Sequence, residues 1–380
     1  MVDSIRSHEC GAYFCRFDDE TRTFGAETLV LGSETVSMEE GNRDFIERSV
    51  NSILSINPEF SGSIPIFISY DYVSEVFSGI SVKRSRWPMA VTFVPESVSH
   101  GTIERQKQVL PELPDSIMLP VSLGEAIRSV RDRIRSGELL QCVLSQQFPV
   151  GSIDRVATLR RYLLGDGSAY VFYFKFGNRE LIGTSPENLV SMQGLTLRMK
   201  PIAGTRNRGR SEEEDRILED TLRYDSKELL EHRMLVDLAR NDIGKVSVPG
   251  SVHVTRSMEV QKFSTVQHLV STVESARDAR YTRDDILRAV FPAGTVTGAP
   301  KKRAVQTIDL YEDTARGPYA GCVGMAGKDS MDLALTIRTL FSSGNEFFAR
   351  AGAGIVKDSV EENEIREIAA KARSAAGVAV

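Results

Sequence analysis

The sequence predicts an α+β protein in which strands and helices form packed layers. Apolar runs of strand length are numerous, and helical patterns interrupt them without the strict alternation of a doubly wound fold. The predicted strands cover 24–31, 64–70, 139–148, 169–176, 181–183, 195–199, 318–326, 331–340 and 346–356. Predicted helices cover 283–290, 300–313 and 361–375, and three more begin at capping sequences.

These three helices follow Ser-x-x-Glu sequences, in which the serine and glutamate side chains cap the first turn of a helix. Ser37 with Glu40 precedes apolar residues at helical spacing, namely Phe45, Ile46, Val50 and Ile53. Ser122 with Glu125 opens a helix that ends near Gly137. Ser211 with Glu214 opens a single long helix over about 212–241.

A polar stretch with three prolines, Thr102 to Pro120, is typical of a linker. It predicts an N-terminal region over 1–110 and a larger catalytic domain over 118–376.

Composition excludes several classes of protein. The 380 residues include 47 Lys and Arg against 52 Asp and Glu, and this net charge of −5 argues against nucleic-acid binding. No apolar run approaches the roughly 20 residues of a membrane span, and the first nine residues lack the apolar core of a signal peptide. Four cysteines without zinc or disulfide spacing favour reduced thiols and a cytoplasmic location.

Two carboxylate pairs are candidates for a metal site. Glu228 with Glu231, and Glu364 with Glu367, each stand three residues apart on a predicted helix, so each pair shares a face. If the pairs converge, they suit Mg²⁺, which takes one or two carboxylates and fills its other positions with water and substrate oxygens. A solvated acidic face, or acidic residues that complement a helix N-terminus, would explain the same patterns without a metal.

Other features point to an anionic ligand. Glycine-rich turns at 201–206, 294–301 and 351–354 let ligand oxygens approach backbone N–H groups, although plain tight turns fit them equally well. Arg338 lies within a predicted apolar strand, where it needs an anionic partner such as a bound carboxylate. His268 lies in an apolar stretch that is also typical of a hydrogen-bonded core histidine.

Five ordered motifs over about 120–375 resemble the chorismate-utilising enzymes. They are GTSPENLV at 183–190, KPIAGTR at 200–206, EHRMLVDLARND at 231–242, FPAGTVTGAPK at 291–301 and AGAGIV at 351–356. The resemblance implies a layered sandwich with two β-sheets in the core and helices outside. It also implies an Mg²⁺-dependent lyase that acts on chorismate.

The resemblance also implies roles for individual residues. Glu187 matches the general acid for the C4 hydroxyl, and His268 matches a histidine of the elimination step. Glu231 and Glu367 match the Mg²⁺ ligands, with Glu228 and Glu364 as the carboxylates that support them. Substrate contacts match Gly204, Thr205, Tyr319, Arg338, Gly352, Ala353 and Gly354.

Two positions separate the branches of the family. Water-adding members have a catalytic lysine where this chain has Gln141, and aminodeoxychorismate synthases commonly have a lysine where it has Ala203. Neither residue here can act as that base or nucleophile, so the chain resembles component I of anthranilate synthase. This implies amination at C2 by ammonia and release of pyruvate, a step of tryptophan biosynthesis.

Two alternatives stay open from the sequence. One is component I of aminodeoxychorismate synthase, which serves folate biosynthesis, in a form that lacks the lysine. The other is a silent chorismate-binding subunit, although such a protein would have no use for the acid Glu187. The run QKFSTVQH at 261–268 departs from the more usual family sequence ERYSHVMH.

No cysteine elbow or histidine and glutamate pair of a glutaminase is present in the sequence. The resemblance therefore implies a separate glutamine amidotransferase subunit (component II) as the ammonia source, in a heterodimer or heterotetramer. Relatives inhibited by tryptophan often carry LLES and NPSPY sequences, which correspond here to LVLGS at 29–33 and GDGSAY at 165–170. A tryptophan feedback site would need other contacts, so we assign no residues to it.

Overall fold

The computed structural model describes residues 1–18, 23–56, 64–105, 121–165, 168–262, 266–344 and 346–376. Its helices are α1 Val2–Ser7, α2 Phe45–Ile56, α3 Val73–Val76, α4 Val121–Arg135, α5 Arg155–Gly165, α6 Glu212–Tyr224, α7 Ser226–Gly244, α8 Arg283–Val290, α9 Lys301–Tyr311 and α10 Glu361–Ala376. Short 3₁₀ turns lie at Tyr70–Tyr72 and Gly294–Val296.

The strands are β1 Cys10–Phe17, β2 Phe24–Ser37, β3 Ile64–Ile68, β4 Ala90–Glu104, β5 Gln141–Gly151, β6 Tyr170–Phe176, β7 Arg179–Ser185, β8 Asn188–Gln193, β9 Thr196–Met199, β10 Ile202–Asn207, β11 His253–Lys262, β12 Val266–Ala276, β13 Gly298–Ala299, β14 Cys322–Ala326, β15 Ser330–Leu335, β16 Thr339–Ser343 and β17 Glu346–Ile355.

Every pairing among these strands is antiparallel, and together they form one hydrogen-bonded network. Its order is β13-β5-β17-β16-β7-β6-β1-β2-β4-β3-β14-β15-β8-β9-β12-β11, with β10 following β9 along the same edge of β12. The long strands β2 and β4 join its two halves.

The two halves of the network face each other as two β-layers. An aromatic-rich core fills the space between them, with side chains from β1, β6, β7 and β16 on one side and from β3, β4, β14 and β15 on the other. Across this core the rings of Phe67 and Phe176 lie 5.4 Å apart. The predicted α+β class is confirmed, and its two β-layers are continuous through β2 and β4.

Helices cover the outer faces of both layers. Helices α2, α7 and α8 bury one apolar cluster, α1 and α5 bury a second, and α4, α9 and α10 bury a third. In the described ranges no helix combines the length and apolar character that crossing a membrane requires. All four cysteines are buried and free.

The structure corrects two of the predicted helix caps. Ser37 is the last residue of β2, and α2 begins eight residues later at Phe45. Its first amides are instead capped by Asp284 of α8, whose carboxylate oxygens accept from Ile46 N at 3.0 Å and Glu47 N at 2.8 Å. Ser122 lies inside α4, which begins at Val121, so it cannot be the N-cap.

The predicted long helix over 212–241 is two helices. Ser211 caps α6 as predicted, since its hydroxyl accepts from Glu214 N at 3.2 Å. Asp225 then adopts an extended conformation that ends α6. Its carboxylate accepts from Glu228 N at 3.2 Å in the first turn of α7, because an aspartate side chain competes for free backbone donors.

The predicted strand 331–340 is also divided. β15 ends at Leu335 and β16 begins at Thr339, so Arg338 lies in a break and not inside a strand. Its φ of +48° is unusual for a residue with a side chain.

The predicted linker begins later than expected, because β4 extends to Glu104, and residues 106–120 lie outside the described residues. The predicted boundary between 110 and 118 therefore also lies outside them. Strands from both sides of this stretch pair closely, β1 with β6 and β3 with β14.

Candidate active site

A cavity of about 220 Å³ lies where β5, β10, β12 and β17 meet helices α7 and α10. Most of the predicted site residues line it. They are Gln141, Glu187, Glu231, His268, Tyr319, Arg338, Gly352 and Gly354, and Ala203 lines it as well.

Glu187 lies in the two-residue connection between β7, which ends at Ser185, and β8, which begins at Asn188. Burial raises the pKa of its carboxyl to about 7. Two contacts lower this pKa and so limit the effect of burial. The Thr295 hydroxyl donates to Oε1 at 2.7 Å, and Lys371 contributes a nearby positive charge. Glu187 can therefore keep its proton near neutral pH and give it up within the cavity, as a general acid must.

His268 is held by the backbone of β10. Its Nδ1 lies 3.0 Å from the carbonyl oxygen of Gly204, and because a carbonyl can only accept, Nδ1 carries the proton of this bond. Gly204 has a φ of +60°, and Thr205 pairs with His268 in the sheet. Gly204 is not among the described residues that line the cavity, and the Thr205 side chain lies outside the described part of the structure.

Two glycines of β17 allow close approach to neighbouring side chains. A Cβ on Gly354 would lie 2.7 Å from Gln141 Nε2, and one on Gly352 would lie 2.8 Å from the Tyr319 hydroxyl. Larger residues at either position would displace these side chains from the cavity wall. Ala353, between them, faces the opposite way and packs into the core with α4 and α10.

Arg338 reaches the cavity from the break between β15 and β16. Its backbone carbonyl accepts from Thr184 N at 3.3 Å, and its guanidinium approaches the Ser168 hydroxyl at 3.5 Å. Arg338 thus lines the cavity from the break and not from a strand position.

The four predicted carboxylates lie on two helices, α7 and α10. Only Glu231 lines the cavity. Glu228 is bound by Arg206 at 3.3 Å, and Glu367 is bound by Lys371 at 2.6 Å. No group of three or more His, Cys, Asp or Glu side chains is arranged as a metal site within the described residues.

Lys371 and Thr295 are cavity residues that sequence reasoning missed. The Lys371 ammonium bonds Glu367 and also donates to the Gly352 carbonyl at 3.2 Å, so it connects α10 to the glycine-rich strand. Its spacing of four residues from Glu367 was a usable signal, because such pairs face each other on a helix. Thr295 lies within the quoted 291–301 motif, but nothing in that motif indicates its bond to Glu187.

A buried charged cluster behind the cavity was also missed. Glu312 accepts from Arg316 Nη2 at 2.6 Å and from Arg350 Nη2 at 2.6 Å, and Ser145 donates to it twice at 2.8 Å. Burial alone would raise the pKa of Glu312, but the two arginines outweigh it and hold the pKa below its usual range.

This cluster fixes several parts of the cavity wall. Arg316 donates to the carbonyls of Val143 at 2.8 Å and Val296 at 2.7 Å, and its guanidinium lies 5.5 Å from the Tyr319 ring. Arg350 itself lines the cavity. Two arginines and one glutamate also leave one positive charge in excess beside the site.

Comparison with known proteins shows which family the chain belongs to. The sequence profile of chorismate binding enzymes matches residues 120–377. Anthranilate synthase component 1 of Aquifex aeolicus is 45% identical over 254 residues, which are 66% of this chain and 51% of that protein. The protein of the same name from Neisseria gonorrhoeae is 40% identical over 362 residues, 90% of this chain and 72% of that protein.

The crystal structure of anthranilate synthase component I from Streptococcus pneumoniae superimposes with a TM-score of 0.76 at 31% identity, over 96% of this chain and 90% of that one. The chain thus belongs to the family of chorismate binding enzymes. It spans about half the length of the Aquifex relative.

Proposed function

We propose that the chain is the synthase subunit of an anthranilate synthase, which converts chorismate and ammonia to anthranilate, pyruvate and water. The observation that carries this proposal is that Gln141 and Ala203 both line the cavity that holds Glu187. The two side chains that would direct the reaction elsewhere if they were lysines are thus within reach of the substrate.

In the first step ammonia forms a bond to C2, the ring double bond shifts, and the C4–O bond breaks. Hydroxide is a poor leaving group, so protonation by Glu187 lets it depart as water. Arg338 would hold a substrate carboxylate, since a guanidinium pairs well with a carboxylate at the edge of a buried site.

In the second step the C2 proton is removed and the C–O bond to the enolpyruvyl group breaks, which releases pyruvate and leaves an aromatic ring. We assign this proton to His268, which lines the cavity and has its Nδ1 bonded to the Gly204 carbonyl.

Mg²⁺ is the cofactor we propose, with Glu231 and Glu367 as its ligands and Glu228 and Glu364 supporting them. Carboxylate oxygens are ligands that suit a hard divalent cation, and Glu231 lines the cavity. Glu367 is bonded to Lys371, which lines the cavity, so the ion would compete with this ammonium for its carboxylate. When bound, the ion would draw electron density from the substrate ring through its carboxylate.

The ammonia would come from a glutamine amidotransferase subunit (component II), in a heterodimer or heterotetramer in the cytoplasm. The name "component 1" of the relatives supports such a partner. The assignment also implies that the chain alone works with ammonium salts.

The direct test mixes the purified chain with chorismate, Mg²⁺ and ammonium at near-neutral pH and identifies the products. We expect the fluorescence of anthranilate, lost on addition of EDTA. Aminodeoxychorismate as the product would assign the chain to the folate branch. Binding of chorismate without turnover, even with a glutaminase partner added, would contradict an enzymatic role.

A further inference from the structure

Two of the sequence motifs end on residues that no step of the proposed reaction uses. The motif at 231–242 ends on Asp242, and the motif at 291–301 ends on Lys301. These two residues form an ion pair, with Lys301 Nζ 2.5 Å from Asp242 Oδ2, and their side chains are only 9% and 3% exposed. A buried ion pair adds little net stability compared with an apolar pair, so its place in the fold is the informative feature.

Lys301 closes the loop at 291–300. Its ammonium also donates to the carbonyl oxygen of Val290 at 2.6 Å. Val290 is the last residue of α8 and Lys301 is the first residue of α9, so this one bond joins the two ends of the loop between these helices. The last carbonyls of a helix have no intrahelical partner, which makes them suitable acceptors for a lysine.

Asp242 attaches the closed loop to α7. It bonds Lys301 through Oδ2 and Lys245 through Oδ1, the latter at 3.1 Å. Lys245 in turn donates to the Ala289 carbonyl at 3.1 Å. One carboxylate of α7 thus holds two lysines that both bond the C-terminal end of α8. Because α7 also carries Glu231, the loop is fixed to a helix that forms part of the cavity wall.

The loop carries the hydroxyl that bonds the proposed acid. Thr295 lines the cavity and donates to Glu187 Oε1 at 2.7 Å. The residue before it packs directly on α7, since a Cβ on Gly294 would overlap the side chain of Leu238. The position of the Thr295 hydroxyl therefore depends on how closely this part of the loop lies on α7.

The other end of the loop is held by β5. Ala299 pairs with Gln141, and the Thr297 carbonyl accepts from Val143 N at 2.9 Å. Thr295 thus lies between two attachments of the loop, one to β5 and one to α7 through Lys301.

We propose that Lys301, paired with Asp242, is a positioning residue for the acid Glu187. By closing the loop on α7, it keeps the Thr295 hydroxyl within hydrogen-bond distance of Glu187. The proposal rests on the proposed function, in which Glu187 protonates the departing hydroxyl of the substrate.

Charge near Glu187 has to be separated from the position of Thr295. Asp242 and Lys200 line a small cavity of about 30 Å³ together with Glu187. Loss of Lys301 alone would leave more negative charge near the acid and raise the pKa of Glu187 even if the loop did not move. The other charged or titratable groups among the described residues that line the main cavity lie outside the loop. They are Glu231, His268, Tyr319, Arg338, Arg350 and Lys371.

The test therefore uses a variant in which the pair is neutral, Asp242→Asn with Lys301→Met. Replacing both partners avoids an unpaired buried ion, so we expect this variant to fold. Lys302→Met is the matched control, because Lys302 is the neighbouring lysine of α9 and is exposed. The measurements are kcat/KM for chorismate against pH, at a fixed concentration of un-ionised ammonia, and urea unfolding of each protein.

In the neutral variant we expect the loss of activity at high pH to move upward by roughly 0.5 to 1 pH unit, because the bond that favours the Glu187 carboxylate is weakened. Adding Thr295→Val to the neutral variant should cause no further shift, since both changes act through the same bond. Lys302→Met should keep the wild-type profile.

A neutral variant with reduced stability and the wild-type pH profile would overturn the proposal, because the pair would then be a structural contact only. A shift of the same size with and without Thr295→Val would also overturn it, since that shift would come from charge. If the neutral variant does not fold, Lys301→Met alone is compared with and without Thr295→Val, because Lys245 still pairs with Asp242 there. The same two outcomes decide.

These failures are distinct from failure of the proposed function. If the wild-type chain forms no anthranilate, the proposed function fails, and the positioning role fails with it. If the wild type forms anthranilate and the neutral variant keeps its pH profile, only the positioning role is lost.

Discussion

The Thr295 hydroxyl donates a 2.7 Å hydrogen bond to Oε1 of Glu187, the buried carboxyl whose pKa is about 7. Two opposing effects set the pKa of Glu187. Burial favours the protonated acid, whereas the hydroxyl stabilises the carboxylate. The balance leaves an acid that is still protonated near neutral pH yet able to release its proton.

The pH dependence of the free enzyme should report this acid. Only protonated Glu187 can assist departure of the C4 hydroxyl, so activity should be present below its pKa and be lost as the pH rises through about 7. The measurement is kcat/KM for chorismate against pH, at a fixed concentration of un-ionised ammonia. A profile with no decline between pH 6 and roughly 9 would argue against Glu187 as the acid.

Replacing Thr295 by valine should move that decline to higher pH. The variant loses a bond that favours the charged form, so the pKa of Glu187 rises. Thr295→Ser keeps a hydroxyl at the same position and should retain the wild-type profile. If valine and serine give the same profile, the hydrogen bond has no part in tuning the acid.

Glu231→Gln should abolish Mg²⁺-dependent turnover while the protein stays folded. The amide keeps the shape of the side chain but removes the negative charge that a divalent cation requires. Asp237→Asn is the matched control, because Asp237 lies on the same helix with its side chain exposed. Isothermal titration with Mg²⁺ and chorismate would follow binding directly, and wild-type affinity in Glu231→Gln would remove this residue from the metal site.

Ala203→Lys should divert amination toward C4. The alanine lines the cavity, and a lysine amine there could attack C2 before ammonia does. Ala203→Met gives a side chain of similar length without an amine and should change only the rate. Chromatography of the products decides the matter, since an unchanged product mixture in the lysine variant would mean that position 203 does not select the product.

Glu312→Gln should lower the free energy of unfolding by about 3 to 5 kcal/mol, because it leaves two buried arginines without their carboxylate. Glu361→Gln is a surface comparison: its partner Arg128 is half exposed, and the expected loss is about 0 to 1 kcal/mol. Urea unfolding of both variants measures the difference. Similar small losses would show that the cluster adds little to stability.

Local signals predicted much of the fold. The helix at 283–290 is found with the predicted bounds, since its threonine cap and apolar spacing are both encoded within a few residues. The cap of α2 was not predictable in this way. It comes from Asp284, more than 230 residues along the chain, so only the assembled fold brings it to Ile46.

The candidate site also contains residues that local motifs predict and contacts that only the assembled fold reveals. Motif matching identified residues such as Glu187 and His268, which line one cavity. It could not indicate that Arg350 bonds Glu312, or that Arg338 occupies a break with φ of +48°, because both follow from contacts between distant segments.

The pairing of β3 with β14 bears on how the chain is synthesised. Ile68 lies opposite Cys322, so one edge of β3 stays without this partner until about 250 further residues have left the ribosome. At roughly 5 to 20 residues per second, that delay lasts about 13 to 50 s. During this time an apolar strand edge is open to wrong pairing, which makes the nascent chain a natural client for chaperones.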